Sequence, residues 1–200
     1  MIVEGVVTTV SSAGVVNIAP MGPLVPDSEE PPRAESLRRF WLRPFRTART
    51  CENLLHHGEG VFHLTDDVLL LARAAVGDPE PPPLLEPATV VRGFVLADCC
   101  RFYEFRVVAR EERGERACFE VEVVHTASRR EFLGFNRARN AVLEAAILAT
   151  RVHLLPRQQI EEDLARLASP VEKTAGPRER QAFAFLRAYL ESVWQQGPTG

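Results

Sequence analysis

RFYEFRVVAR (residues 101–110) and ACFEVEVVHT (117–126), joined by EERGER (111–116), are the stretch that decides the fold. Each arm is rich in β-branched and aromatic residues, and residues 119–125 partly alternate apolar with polar, as a half-buried strand does. A polar turn with a glycine, residues 112–115, lies between them, so the pair reads as a hairpin. Upstream, residues 2–10, 15–19, 37–42, 61–65 and 93–98 also have strand character. Two helical segments interrupt them. Residues 47–57 end at Gly58, and residues 66–76 open on Asp66-Asp67 and end at Gly77. Two Pro-rich stretches, 21–36 and 78–87, read as exposed connections.

After Phe135 the pattern changes. Residues 137–154 are helix-like and stop at Pro156. Residues 158–167 form a second helix. Residues 177–195 form a third, with Phe183, Leu186, Leu190 and Val193 at three- and four-residue steps. Clustered strands followed by clustered helices predict an α+β fold, not a βαβ unit. No G-x-G-x-x-G or P-loop string is present.

The chain of 200 residues is 46% hydrophobic and 26% charged, with a net charge of −3, which argues against nucleic acid as a partner. Lys173 is the sole lysine among 24 basic residues, so arginine position carries more information than arginine number. The cysteines, Cys51, Cys99, Cys100 and Cys118, match no C-x-x-C or zinc spacing, and a reduced, cytoplasmic state is expected, with no metal. The first residues do not read as a signal peptide, and no apolar run predicts a membrane span.

Four stretches are candidates for chemistry. In PFRTARTCENLL (44–55), Arg46, Thr47, Arg49, Thr50 and Asn53 gather at a strand-to-helix transition. A helix start offers backbone N–H donors and a partial positive charge, which attract an anion and repel cations. Either a phosphate sits there, or Thr47 or Thr50 is an ordinary N-cap and the arginines are solvated. In FNRARN (135–140), Asn136 fits an N-cap, and Arg137 and Arg139 fall in the first helical turn. The body of that helix is apolar nearly all round, which predicts either a central helix or a subunit interface. Either the arginines lie at the surface of a core helix, or Asn136, Arg137, Arg139 or Asn140 meets an anionic ligand or a neighbouring subunit. In NIAPMG (17–22), a strand exit with small side chains could approach something flat, or simply turn. VEKTAG (171–176) reads as a polar turn between helices. The histidines, His63 included, read as packed side chains, and no catalytic residue can be named.

Together these strings resemble an uncharacterised family within the FMN-binding split-barrel superfamily, similar to flavin reductase-like proteins. The resemblance runs through residues 3–22, 44–55, 132–155 and 171–176. It implies a six-stranded split β-barrel over residues 1–135, with a helical region over residues 136–200 packed on the barrel and at a dimer interface. It also implies a homodimer with FMN near the subunit interface. Arg46, Thr47, Thr50 and Asn53 match positions that hold the phosphate and ribityl chain. Asn17, Ala19, Pro20 and Met21 match the segment lying against the isoalloxazine. His63 stands where related flavoproteins often carry Asn, and Cys51 where they often carry an aromatic residue. The implied activity is flavin-dependent oxidation–reduction of an unknown small-molecule substrate by an external donor. The Pro-rich stretch 22–32 is a candidate rim of the cleft, since long irregular loops often border binding sites. The alternative is a flavin-binding or carrier protein without turnover.

Overall fold

The computed structural model describes residues 1–26 and 37–196. The chain forms two compact units. Residues Met1–Thr65 and Pro83–Phe132 make the first, and Asp66–Pro82 and Leu133–Gly200 the second. The second thus takes in residues 66–82, which the sequence reading left with the strands.

The first unit is a six-stranded antiparallel sheet in the order β2-β1-β4-β7-β8-β3. Its strands are β1 (Gly5–Val10), β2 (Val16–Met21), β3 (Arg39–Leu42), β4 (Glu59–Leu64), β7 (Arg101–Arg113) and β8 (Arg116–Ser128). β5 (Leu85–Pro87) and β6 (Phe94–Leu96) form a separate two-stranded ribbon. The expected hairpin is β7–β8, paired from Arg101↔Ser128 to Arg113↔Arg116. Its turn is tighter than the sequence reading placed it, because Gly114 takes the left-handed conformation at φ 61°. β5 went unforeseen because proline masks strand character, and an edge strand tolerates it.

Beyond the sheet's β2 edge the chain reaches its β3 edge. Leu24 bridges to Ile2 on one side and to Trp41 on the other, exchanging backbone hydrogen bonds of 2.8 and 2.9 Å with Trp41. Phe40 and Leu42 of β3, Val7 of β1, Phe62 of β4, Tyr103 and Phe105 of β7, and Phe119 and Val121 of β8 fill one core. Phe62 stacks on Tyr103, and Phe40 meets Phe62 and Phe105 at tilted or edge geometry, each pair within 6 Å. Gly5 is required here, since a Cβ would lie 2.4 Å from the His63 carbonyl. The helix α1 (Arg49–His57) lies by β1 and β2 and ends at Gly58, whose φ of 65° suits glycine.

The second unit is a cluster of four helices: α2 (Val68–Val76), α3 (Arg137–Thr150), α4 (Arg157–Thr174) and α5 (Pro177–Gln196). α3 is its centre and packs on α2, α4 and α5, burying Ala138, Ala141, Val142, Ala145, Ala146 and Ala149. Of the two alternatives for this apolar helix, the chain's own helices supply the central one. α4 runs through Pro170 to Thr174, further than the sequence reading placed it, so that VEKT is the end of a helix and only Ala175-Gly176 is the turn. No helix among the described residues is long and apolar enough to cross a membrane.

Candidate functional site

The segment before α1 is held by the turn between β7 and β8 and by the start of β8. Arg46 N–H donates to the Glu115 carbonyl (3.0 Å), Ala117 N–H donates to the Pro44 carbonyl (3.1 Å), and Phe45 bridges to Arg116. A turn closes with Ala48 N–H on the Phe45 carbonyl (3.0 Å), and α1 begins. The N-cap is Ala48, whose methyl side chain cannot accept a hydrogen bond. Neither Thr47 nor Thr50 is therefore an ordinary cap. Arg46, Thr47 and Arg49 are exposed around this helix start, with Glu52 the acidic residue of the first turn. Cationic side chains crowd the positive end of the helix dipole, an arrangement that an anion would stabilise.

Thr50 and Asn53 face the other way. Asn17 Nδ2 donates to Thr50 Oγ1 at 3.0 Å, and Asn53 Nδ2 donates to Thr9 Oγ1 at 2.9 Å. Thr9, Asn17, Thr50 and Asn53 are all buried, so this polar network joins β1, β2 and α1 inside the first unit. Three residues read from the sequence as candidate ligands thus fix where the helix start points. On β2, an edge strand, Ala19 and Pro20 are half-buried, and Met21 packs against the core. Most of the stretch 22–32, expected as a cleft rim, lies outside the described residues.

Asn136 and Arg139 belong to the second unit. Asn136 is the expected N-cap: its Oδ1 accepts from Arg139 N–H (3.1 Å), and its Nδ2 donates to the Thr174 carbonyl (3.1 Å). The anion that Arg139 calls for comes from the chain itself. Its guanidinium meets Asp66 Oδ2 at 2.8 Å and Glu179 Oε1 at 3.0 Å. This corrects the expectation that a ligand or a neighbouring subunit must supply that charge. Thr174 Oγ1 accepts from Ala138 N–H (3.0 Å) and donates to the Pro170 carbonyl (2.8 Å). Glu179 Oε2 accepts from Gly176 N–H (2.9 Å), as in a capping box. Arg178 pairs with Asp67, the N-cap of α2. The starts of α2, α3 and α5 and the end of α4 therefore converge on one polar junction. Burial acts to raise the Glu179 carboxyl, but its bond from Arg139 and the backbone N–H groups hold it below the usual carboxylate value.

Two further buried polar residues, His63 and Glu104, hold neighbouring backbone. His63 accepts from Leu96 N–H at Nε2 (3.1 Å) and lies 3.1 Å from the Val6 carbonyl at Nδ1, so the proton sits on Nδ1. Burial pushes its pKa down to about 4, against a weaker opposing effect of the Val6 carbonyl. Glu104 takes N–H bonds from Thr89 (2.7 Å), Val90 (2.6 Å) and Val91 (3.0 Å), anchoring the loop before β6. Alternation along β7 marks Glu104 as polar, but only the fold shows the loop that covers it.

The fold is similar to that of the FMN-bound protein MM1853 from Methanosarcina mazei (TM-score 0.79, 22% identity, 94% of each chain covered). It also resembles the FMN-binding protein from Thermus thermophilus with bound 1-cyclohex-2-enone (TM-score 0.52, 15% identity, 64% of this chain and 70% of that one). The styrene monooxygenase flavin reductase of Pseudomonas putida S12 is similar over 62% of this chain and 77% of its own (TM-score 0.50, 16% identity). The chain belongs to the family described as protein of unknown function DUF447, whose N-terminal domain matches residues 3–130 and whose second part matches residues 136–188.

Proposed function

We propose that this protein binds FMN and acts as a flavin-dependent oxidoreductase. The observation that carries this reading is the start of α1, whose N-cap Ala48 has no side-chain acceptor, ringed by exposed Arg46, Thr47 and Arg49 and held in place by a buried amide–hydroxyl network. That donor set fits a phosphate monoester. Likeness of fold to a family member that binds FMN supports it. In this proposal Arg46, Thr47 and Arg49 hold the phosphate. Asn17, Thr50 and Asn53 orient the helix start and the β2 segment, and Ala19, Pro20 and Met21 flank the ring. Asn136 and Arg139 are structural. The six strands close as a split barrel across the Leu24 bridge, and the working form is a cytoplasmic homodimer. FMN, when bound, supplies hydride and electron transfer. The chain contributes anchorage, orientation and a shaped surface for a small-molecule donor or acceptor.

Titration with FMN, FAD and riboflavin tests the anchor. FMN should bind tightest, and Arg46→Ala should weaken it by about 1.5–3 kcal/mol, the range for a hydrogen bond to a charged group. Riboflavin binding as tightly as FMN would remove the phosphate anchor from the argument. Stopped-flow reduction by NADH or NADPH, followed by saturable reoxidation by an organic acceptor, separates an oxidoreductase from a carrier. A protein that binds FMN but is reduced by no donor is a carrier.

A further inference from the structure

A cavity of about 440 Å³ opens on the outer side of β3, β7 and β8 in the first unit. Phe40 and Leu42 point into the core, so strand alternation sends Trp41 and Arg43 outward. Leu24 and Cys118 join Trp41 to make an apolar wall. Three guanidiniums, Arg43, Arg110 and Arg116, line the same space. Arg116 is pre-set: its Nη1 donates to the Arg43 carbonyl at 2.7 Å, and its guanidinium lies 3.8 Å from the Phe45 ring centre. Arg43 and Arg110 form no ion pair among the described residues. Two carboxylates also line the cavity, but Glu120 is held by Arg39 at 3.1 Å, outside the lining. A β-bulge between Val107 and Ala109 shifts the strand register at its edge, a device that re-aims side chains beside binding sites.

We propose that this cavity is a ligand site distinct from the cluster at the start of α1, and that it takes a small, flat aromatic acid. The volume lies within the range of small-molecule pockets. The indole face and aliphatic wall suit a planar ring, and arginines without an internal partner suit a carboxylate. The cavity and the α1 start are joined by one short run of backbone, residues 43–46, in which Pro44 is hydrogen-bonded to β8 and Arg46 to Glu115 in the turn before it. A ligand on Arg43 is thus three residues from Arg46, which places a candidate substrate or effector site beside the proposed cofactor anchor.

Equilibrium dialysis of the full chain against 2-naphthoate, with and without added FMN, tests this. One 2-naphthoate per chain should bind saturably, and the neutral analogue 2-naphthol should bind at least about ten-fold more weakly. Arg43→Gln combined with Arg110→Gln should weaken 2-naphthoate about ten-fold or more while FMN affinity and melting temperature stay unchanged. Trp41→Phe should weaken both probes. Three results would each overturn the proposal: no saturable uptake, equal binding of the two probes, or an unaltered double variant. Displacement of FMN by 2-naphthoate would do the same, by making the cavity the flavin's own seat. The measurement without FMN reads the cavity even if the protein binds no flavin, so failure of one reading leaves the other standing.

Discussion

Replacing Arg139 by methionine keeps the length of the side chain and removes its charge. In the wild type the guanidinium is only 21% exposed, and it faces Asp66 and Glu179 side chains that are 6% and 11% exposed. Removing one partner of such an assembly leaves buried charge uncompensated, which costs about 3–5 kcal/mol. The lower end applies, because Glu179 keeps its bond from Gly176 N–H at 2.9 Å. A loss of about 3 kcal/mol corresponds to a melting temperature about 6–12 °C lower in a chain of this size. Thermal and urea unfolding at neutral pH measure it, with Arg157→Met as control. Arg157 pairs with Glu161 along α4 and lies over the Trp194 ring at 4.7 Å, but the paired side chains are 62% and 47% exposed, so its loss should cost about 1 kcal/mol or less. The pH profile adds a second reading. The Glu179 carboxyl is held below the usual carboxylate value in the folded protein, so its contribution is present above the unfolded-state value and is lost as pH falls through the lowered folded one. The gap between wild type and Arg139→Met should therefore narrow in acid. Adding Glu179→Gln to Arg139→Met should recover part of the loss at neutral pH. If Arg139→Met melted like the control and instead lost FMN, the internal ion cluster would be the wrong explanation of that arginine.

His63 should make the protein acid-labile: with a folded pKa near 4 against 6.5 in the unfolded chain, unfolding takes up a proton across that interval. Stability should fall by up to about 3 kcal/mol between pH 6.5 and pH 4, and His63→Asn should flatten that slope in urea titrations at stepped pH. Glu104→Gln puts an amide donor against three N–H groups and should cost about 2–4 kcal/mol, with faster amide exchange at residues 89–91. Thr174→Val removes a cap from α3 and should cost about 1 kcal/mol by chemical denaturation, while an unchanged midpoint would deny the cap its role.

The strand and helix pattern was largely legible because most elements bury one consistent face. β7 and β8 carry their inward aromatics at period two, and α5 carries Phe183, Leu186 and Leu190 at helical spacing. What failed locally was punctuation. Pro170 sits inside α4, where it was expected to lie beyond the helix end, and its carbonyl is taken by the Thr174 hydroxyl. At the candidate site, residue type was legible and direction was not. Thr50 and Asn53 were singled out at a helix start, and Asn17 at a strand exit, as candidate ligand contacts. Whether such groups face a ligand or one another depends on the approach of α1 to β1 and β2, which is a tertiary fact. Arg139 failed for a similar reason: Asp66 lies 73 positions away in sequence, and no local pattern connects the two.

The helical unit is built from two separate stretches of chain, because α2 arrives from the loop between β4 and β5 while α3, α4 and α5 follow β8. α2 leaves the ribosome well before the surfaces of α3 and α5 that it covers. Its run of Val68 to Ala72, buried in the finished protein, must therefore wait for later partners. A cut after residue 132 would not release an intact helical domain, since the piece beginning at Leu133 would leave without its fourth helix. A recombination event that exchanged only the C-terminal third would therefore strand a hydrophobic helix in the other half.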